Sequence, residues 1–336
     1  MRVYTIGEVL IDFIAKEEGP LNKVTTFEKY PGGAPTNVMV NLSRLGVPSG
    51  LISKVGNDPF GEFLLEKLKE ENVDVSYVTL DDVHHTGIVF VQLIGASPEF
   101  ILYRDVAYNY IERKDIDLKV LDDVMLLHFG SVILVQEPSR STVLYFVEEA
   151  KRRGIPISFD VNIRKDLWRE NIDEMWKNVE KGLSLADVVK LSEEETNEIL
   201  EYLGLPKDDF PVLLDEYNIK LLAITRGGKG CKLLLREKST LKAVGIAPYV
   251  VKPVDTTGAG DAFMAAIIAG LYAFDKLNTI DELDIDELEM IGYFANMVAA
   301  LSTLKRGAWS APTLEELEKY TEIERIVVKL KKKQII

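Results

Sequence analysis

The 336-residue chain is predicted to fold as an α/β protein: a doubly wound, mostly parallel sheet with helices on both faces, and a small β layer beside it. Three observations carry this expectation. Short apolar runs alternate with amphipathic segments of helical period, as in strand–helix units whose sheet is covered on both faces. Polar residues cluster just after those runs, where open parallel sheets bind their ligands. Between Thr86 and Arg104 the alternation gives way to two extended apolar segments around a glycine-containing turn, which reads as a hairpin outside the strand–helix units.

In chain order, residues 3 to 14 read as one strand with Asp12 near its C-terminal end. The stretch to about residue 31 has no helical period. Pro31-Gly32-Gly33-Ala34-Pro35-Thr36-Asn37 then sets a tight turn into a helix closed by Gly46. Asn37 falls in its first turn, where it faces whatever the turn faces or satisfies local backbone. Leu51 to Val55 is a short buried strand, and Pro59 to Asn72 an amphipathic helix opened by Asp58-Pro59. The hairpin pairs Gly87 to Ile94 with Phe100 to Arg104 across a Gly95 to Pro98 turn. Such a layer is a natural lid over chemistry that must exclude water.

From Val124 the alternation resumes: Met125 to Phe129, Ile155 to Val161, Asp187 to Leu191 and Lys220 to Thr225 read as strands. Pro138 to Arg153, Ile172 to Leu185 and Glu193 to Tyr202 read as the helices between them. A second hairpin follows through Lys232 to Val244, then two long helices, Ala259 to Tyr272 and Ile285 to Leu304. The Lys329 to Lys333 cluster reads as a solvated tail. No internal repeat or low-complexity linker divides the chain, which is read as one domain over 1–336 with a small β lid inserted from about 13–31 and 86–110.

Composition narrows the function. The chain is 47% hydrophobic and 28% charged, as soluble globular proteins are. A net charge of −14 argues against nucleic-acid and anionic-membrane partners, which reward a basic face. No run approaches the ~18 uninterrupted apolar residues of a membrane span. The opening MRVYTIGEVLIDF carries Glu8 and Asp12 and reads as neither signal nor transit peptide, so a cytoplasmic location is expected. Cys231 is the single cysteine, which excludes an intrachain disulfide and a thiolate metal cluster within one chain.

The chemistry centres on Asp255-Thr256-Thr257-Gly258-Ala259-Gly260-Asp261 before an apolar helical run. Glycines at a helix entrance let backbone N–H groups approach an anion, and the helix dipole favours negative charge there. Asp261, in the first turn, can stabilise the helix or take a proton from a hydroxyl attacking a phosphoryl group. Further clusters after predicted strands are Asp12, the Gly32 to Asn37 turn, Asp160 to Arg164, Ser192 to Glu195, and Thr225 to Gly230, with Arg104 in the hairpin. Adjacent His84 and His85 are poorly disposed to share a metal and read as a surface loop. His128, at the end of an apolar strand, reads as a core histidine.

On these motifs the chain resembles the PfkB, or ribokinase, family of ATP-dependent carbohydrate kinases, and within it the fructokinases. The resemblance runs from about Tyr4 to Ala300 through GEVLIDF (7–13), YPGGAPTNV (30–38), KVGNDPFGE (54–62), HFGSVILVQEPSR (128–140), FDVNIRKDLW (159–168) and VDTTGAGDAF (254–263). It implies a ribokinase-like fold and transfer of the ATP γ-phosphate to a sugar's primary hydroxyl, the 6-hydroxyl in the case of fructose. Asp261 would be the base, with Gly258, Ala259 and Gly260 donating N–H groups to the transferring phosphoryl. Asp12, Gly32, Gly33, Asn37, Arg104 and Arg164 would hold the sugar, Arg164 alternatively bridging Asp160 or Asp166. Thr225, Gly227, Gly230 and Asn296 would hold ATP. The family's N-x-x-E motif appears here as Ser192-Glu193-Glu194-Glu195, so Glu195 keeps the acidic role in organising magnesium and phosphate while Ser192 departs from the pattern. Magnesium is implied as the partner of ATP, a monovalent cation is left open, and an exposed β lid could pair two copies in a homodimer.

Among rivals, a nicotinamide oxidoreductase lacks its early G-x-G-x-x-G, and a P-loop kinase its G-x-x-x-x-G-K-[ST]. A non-catalytic sugar sensor on the same scaffold would be expected to lose Asp261. Within the kinases, 2-keto-3-deoxygluconate is the alternative substrate, because its carboxylate could pair with Arg104 or Arg164.

Overall fold

The computed structural model describes residues 1–94, 97–168, 171–237 and 240–334, with 93–94 and 97–99 described as backbone only. The Gly95-Ala96 part of the expected hairpin turn lies outside the described residues. Strands β1 (Arg2–Ile6), β4 (Ser49–Gly56), β5 (Asp74–Asp81), β8 (Val124–Gly130), β9 (Ile157–Asp160), β10 (Val188–Ser192), β11 (Leu221–Thr225), β12 (Cys231–Glu237) and β13 (Thr240–Ile246) form one sheet in the order β13-β12-β11-β10-β9-β8-β1-β4-β5. From β11 to β5 every pairing is parallel, and the β11–β12 and β12–β13 pairings are antiparallel. The order reverses direction between β1 and β8. That reversal opens a crevice at the strands' C-terminal ends.

The expected single strand over residues 3 to 14 is two strands in two sheets. β1 ends at Ile6, and β2 (Leu10–Ala15) belongs to a second sheet ordered β3-β2-β6-β7, with β3 (Phe27–Gly32), β6 (Gly87–Ile94) and β7 (Ser97–Leu102). The reason lies at Gly7, where a Cβ would stand 2.4 Å from Pro35 Cγ. The chain passes so close to the next helix that only glycine fits, and it bends out of the main sheet there. Asp12 therefore sits on the small sheet, opposite Tyr30, not at the end of a central strand.

Helices α1 (Ala34–Arg44), α2 (Pro59–Glu70), α3 (Ser139–Arg152), α4 (Lys165–Trp168), α5 (Ile172–Leu185), α6 (Glu193–Tyr202), α7 (Pro211–Tyr217), α8 (Ala259–Ala273), α9 (Ile285–Ser302), α10 (Leu314–Leu317) and α11 (Glu324–Gln334) complete the chain. Two apolar cores form: one under α1, α8, α9 and α11, the other under α3, α5 and α7. Gly46, at φ +79°, ends α1. Helices α8 and α9 are apolar nearly all round, because α8 packs against both α1 and α9. The C-terminal lysines are not a free tail. They ride on α11, which buries Ile326, Val327 and Leu330, with Lys329 over Phe274 and Lys333 over Tyr272. Among the described residues no helix is long and apolar enough to cross a membrane.

Candidate active site

Helices α1 and α8 begin side by side at the crevice, each from a glycine that no other residue could replace without strain. Gly33 caps α1 at φ +105°, with a hypothetical Cβ 2.4 Å from Glu8 O. Gly258 caps α8 at φ +75°, its hypothetical Cβ 2.6 Å from Ala308 Cα. The two packed helices bring Asn37 to Asp261: Asn37 Nδ2 donates to Asp261 Oδ2 at 2.7 Å. Gly32 closes against Asp12, since a Cβ there would lie 2.1 Å from Asp12 Oδ2. Of the expected sugar-side residues, Asn37 thus meets the expected base directly, and Asp12, packed against Gly32, feels its charge.

At the entrance to α8 the Ala259 N–H already donates to Thr256 O at 3.2 Å, while Ala262 N–H donates to Gly258 O at 2.8 Å. Among the described residues, the Gly258, Gly260 and Asp261 N–H groups have no acceptor, so these are the donors left at the entrance. Asp255 braces the loop by accepting from Thr257 N at 2.9 Å and Gly307 N at 3.0 Å.

Behind this entrance stands an ion pair that sequence reasoning missed. Lys190 and Asp160 are register partners on adjacent strands, so their side chains emerge together, and Lys190 Nζ donates to both Asp160 oxygens, at 2.8 and 2.9 Å. A Cβ on Gly260 would lie 3.2 Å from Lys190 Nζ. Burial penalises that ammonium, but the Asp160 and Glu195 carboxylates outweigh it and hold Lys190 charged above its ordinary range. A signal existed: Lys190 is a lone charge within the apolar run Val188 to Leu191, and a charge buried in a strand needs a partner.

The electrostatics are those of crowded carboxyls. Burial first, then the neighbouring Asp160, raises Asp261 to about 7, against the pull of Asn37, Lys190 and Arg164. Burial, with Asp261 and Asp255, raises Asp12 to about 7. Glu8, 2% exposed, is raised by burial to about 8, and its Oε2 has no hydrogen-bond partner. No local pattern marked Glu8; it acquires its place from the bend at Gly7. His128 is a core residue, its Nδ1 2.9 Å from Ser158 Oγ, and burial lowers it to about 3.

Arg164 lies near enough to the cluster to favour the ionised forms of Glu8, Asp160 and Asp261. It makes no ion pair with Asp160 or Asp166 among the described residues, and Arg164 Nη1 donates to Ile163 O at 3.3 Å. Arg104 is exposed, donates to Leu167 O at 3.0 Å, and shares a small cavity with Tyr108. Of the two adjacent histidines, His85 is on the surface, whereas His84 stacks on Tyr110 with its Nδ1 3.0 Å from Asp81.

The remaining residues gather further along the strand ends. Ser192 and Thr225 are register partners at the ends of β10 and β11. Ser192 and Glu195 form a capping box for α6, and Glu195 also accepts from Ile163 N at 2.7 Å. Both Glu195 oxygens therefore hold backbone. Gly227 and Gly230 adopt positive φ, and Gly230 passes so near β13 that a Cβ would sit 2.0 Å from Ile246 O. Asn296 reaches the same place from α9, donating to Ala247 O at 3.0 Å. The residues expected around ATP thus form a second group beside the first.

Residues 2–314 match the family model described as pfkB family carbohydrate kinase. The chain is 50% identical to a sugar kinase of Pyrococcus horikoshii over 325 residues, 97% of each chain. A crystal structure of that protein in complex with ATP superposes with a TM-score of 0.85 at 49% identity, covering 96% of this chain and 99% of that one. Identity to the fructokinase of Salmonella typhimurium is 35% over 320 residues, 92% of this chain and 95% of that protein. The fructokinase of Vibrio cholerae O395, solved with fructose, ADP and calcium, matches at 32% identity and a TM-score of 0.78, covering 93% of this chain and 96% of that one. With its paired glycine-capped helices and a match across nearly all its length, the chain belongs to the pfkB family and is an ATP-dependent carbohydrate kinase.

Proposed function

We propose that the protein is a fructokinase, transferring the γ-phosphate of ATP to the 6-hydroxyl of fructose. The observation that carries the choice of sugar is the carboxyl crowd. Asn37 presents its amide to Asp261, and the buried carboxyls of Glu8 and Asp12 both feel the Asp261 charge. Such a lining suits the hydroxyls of a neutral sugar and opposes a carboxylate-bearing one. The fructokinases among the relatives support the same reading. Arg164, exposed and electrostatically linked to Glu8 and Asp261, is what favours the second reading, 2-keto-3-deoxygluconate.

In this reading Asp261 accepts the proton of the attacking hydroxyl as oxygen–phosphorus bonding develops. Asn37 orients that carboxylate. Gly258, Gly260 and Asp261 N–H groups, the α8 dipole and the Lys190 ammonium stabilise charge on the transferring phosphoryl, with Ala259 shaping the turn that exposes them. Asp12, Gly32, Gly33 and Arg104 hold the sugar, and the small sheet closes over it. Thr225, Gly227, Gly230 and Asn296 hold the nucleotide. Among the described residues no group of three His, Cys, Asp or Glu could hold a metal, and both Glu195 oxygens already accept backbone N–H groups. These residues fit a magnesium carried by the ATP phosphates, with Glu195 and Ser192 beside its water shell. When bound, the ion neutralises phosphate charge. Exposed Phe100, Ile101 and Tyr103 on and beside the small sheet support a homodimer through that sheet.

The test is a panel of fructose, 2-keto-3-deoxygluconate, ribose and adenosine with Mg-ATP, each at several concentrations, following ADP. Fructose should give the highest kcat/KM. A higher value for any other member replaces fructose as the substrate.

A further inference from the structure

Asn37 is held from two sides. Its Nδ2 donates to Asp261 Oδ2 at 2.7 Å, and its Oδ1 accepts from Trp309 Nε1 at 2.9 Å. An asparagine amide is nearly symmetric in shape, but its two ends are opposite in chemistry. An indole N–H can only donate, so it can engage only the oxygen end. We propose that Trp309 is a positioning residue for phosphoryl transfer: its indole N–H locks the Asn37 amide so that nitrogen, never oxygen, faces the Asp261 carboxylate. The proposal rests on the kinase reading of Asp261 and adds to it a residue more than forty positions beyond that motif.

The segment carrying Trp309 is itself clamped. On one side Gly307 N–H donates to Asp255 Oδ2 at 3.0 Å, and Ala308 packs against Gly258. On the other, Asn41 takes Ala311 N–H on its Oδ1 at 3.3 Å and offers its Nδ2 to Ala308 O at 3.4 Å. Asn37 and Asn41 stand one helical turn apart on α1, so one face of that helix reads both ends of the segment. The indole is thereby placed from the α8 entrance and from α1 at once, and its ring packs against the core between them.

The consequence falls on Asp261. The charged groups acting on it are Asp160, Lys190 and Arg164, and Glu8 and Asp12 are in turn raised by it. Burial and the carboxyls favour its proton; Asn37, Lys190 and Arg164 favour its removal. Without Trp309 the amide is free to rotate, and a carbonyl oxygen turned toward Asp261 changes Asn37 from a group that favours the ionised base to one that opposes it.

Trp309→Phe keeps most of the ring and removes only the donor, whereas Trp309→Ala removes both. In Trp309→Phe the thermal midpoint should stay near the wild-type value, while the acid limb of kcat/KM moves up by about one pH unit, the scale of one hydrogen bond to a charged acceptor. Trp309→Ala should show the same shift with a lowered midpoint. An unshifted limb in Trp309→Phe, with impairment confined to Trp309→Ala, would reduce Trp309 to packing and overturn the proposal. The contact has a second readout that needs no turnover. With 3 tryptophans in the chain, the Trp309 indole N–H can be assigned by nitrogen–proton correlation spectra of the Phe variant, and its slow solvent exchange should be lost in Asn37→Ala. Unchanged exchange removes the hydrogen bond on which the proposal stands. If the wild type phosphorylates no sugar, the kinase reading of this site fails, and the exchange experiment still decides whether Trp309 holds Asn37.

Discussion

Acidification should switch the enzyme off well above the pH at which an ordinary carboxylate base would fail. Asp261 is raised to about 7, by burial most and Asp160 next, and a general base works only when ionised. In the free enzyme, kcat/KM follows the ionised fraction, so it should be about half maximal near pH 7, about a tenth at pH 6 and about a hundredth at pH 5. A carboxylate near its ordinary pKa of about 4 would keep nearly full activity down to about pH 5. Because Asp12 and Glu8 are raised alongside Asp261, the limb belongs to the coupled set, and substitution must identify the member responsible. Asp261→Asn should lower kcat by roughly 10² to 10⁴ with little change in sugar binding, and its residual activity should lose the limb. The assay is direct quantitation of ADP by chromatography from pH 5 to 9, which avoids pH-sensitive coupling enzymes. Nearly full activity down to about pH 5 refutes the raised Asp261; an unaltered limb, or near wild-type kcat, in Asp261→Asn refutes its role as base.

The same carboxyls predict how stability varies with pH. Glu8, Asp12 and Asp261 have folded pKa values above their unfolded ones, so the native state holds protons more tightly, and their contribution declines as pH rises from about 4 through about 8. The melting temperature of the unliganded protein should therefore fall from pH 6.5 to 8.5, and Glu8→Gln should flatten that fall; a melting temperature rising across the window contradicts the burial of these groups. The window stops at 6.5 because buried His128, lowered to about 3, acts oppositely below its unfolded pKa of about 6.5. Gly258→Ala would put a Cβ 2.6 Å from Ala308 at φ +75°, costing at least ~1–2 kcal/mol of backbone strain, and should lower both the denaturation midpoint and kcat. A wild-type midpoint would show that the α8 entrance relaxes easily. Backbone amides of β6 and β7 should exchange more slowly when sugar is bound, and unchanged exchange counts against closure of the small sheet.

Much of this molecule is legible locally. The alternation of apolar runs and helical periods specifies the parallel sheet and its covering helices, because each element's own pattern states which face it must bury. Gly33, Gly46 and Gly258 mark helix ends by the positive φ those places need, and Asp261 stands beside Gly258 in an uninterrupted motif. What spacing could not state is which distant groups meet. Asn37 and Asp261 are separated by 224 positions, and Trp309 and Asn37 by 272; only the packing of α1 on α8 joins them. Strand register pairs Lys190 with Asp160, a contact invisible until β9 and β10 lie side by side. The bend at Gly7 turned an apparent single strand into two and carried Asp12 to the small sheet. Residues Lys329 to Lys333 read as solvated because their charges dominate the pattern, yet Ile326, Val327 and Leu330 bind that helix to the core. The kind of chemistry follows from local features, since the residue types and glycine turns lie close together along the chain. Tertiary structure alone decided the acidity of Asp261, Asp12 and Glu8 and the orientation of Asn37, because desolvation and mutual repulsion exist only once the chain has brought these groups together and shut out water.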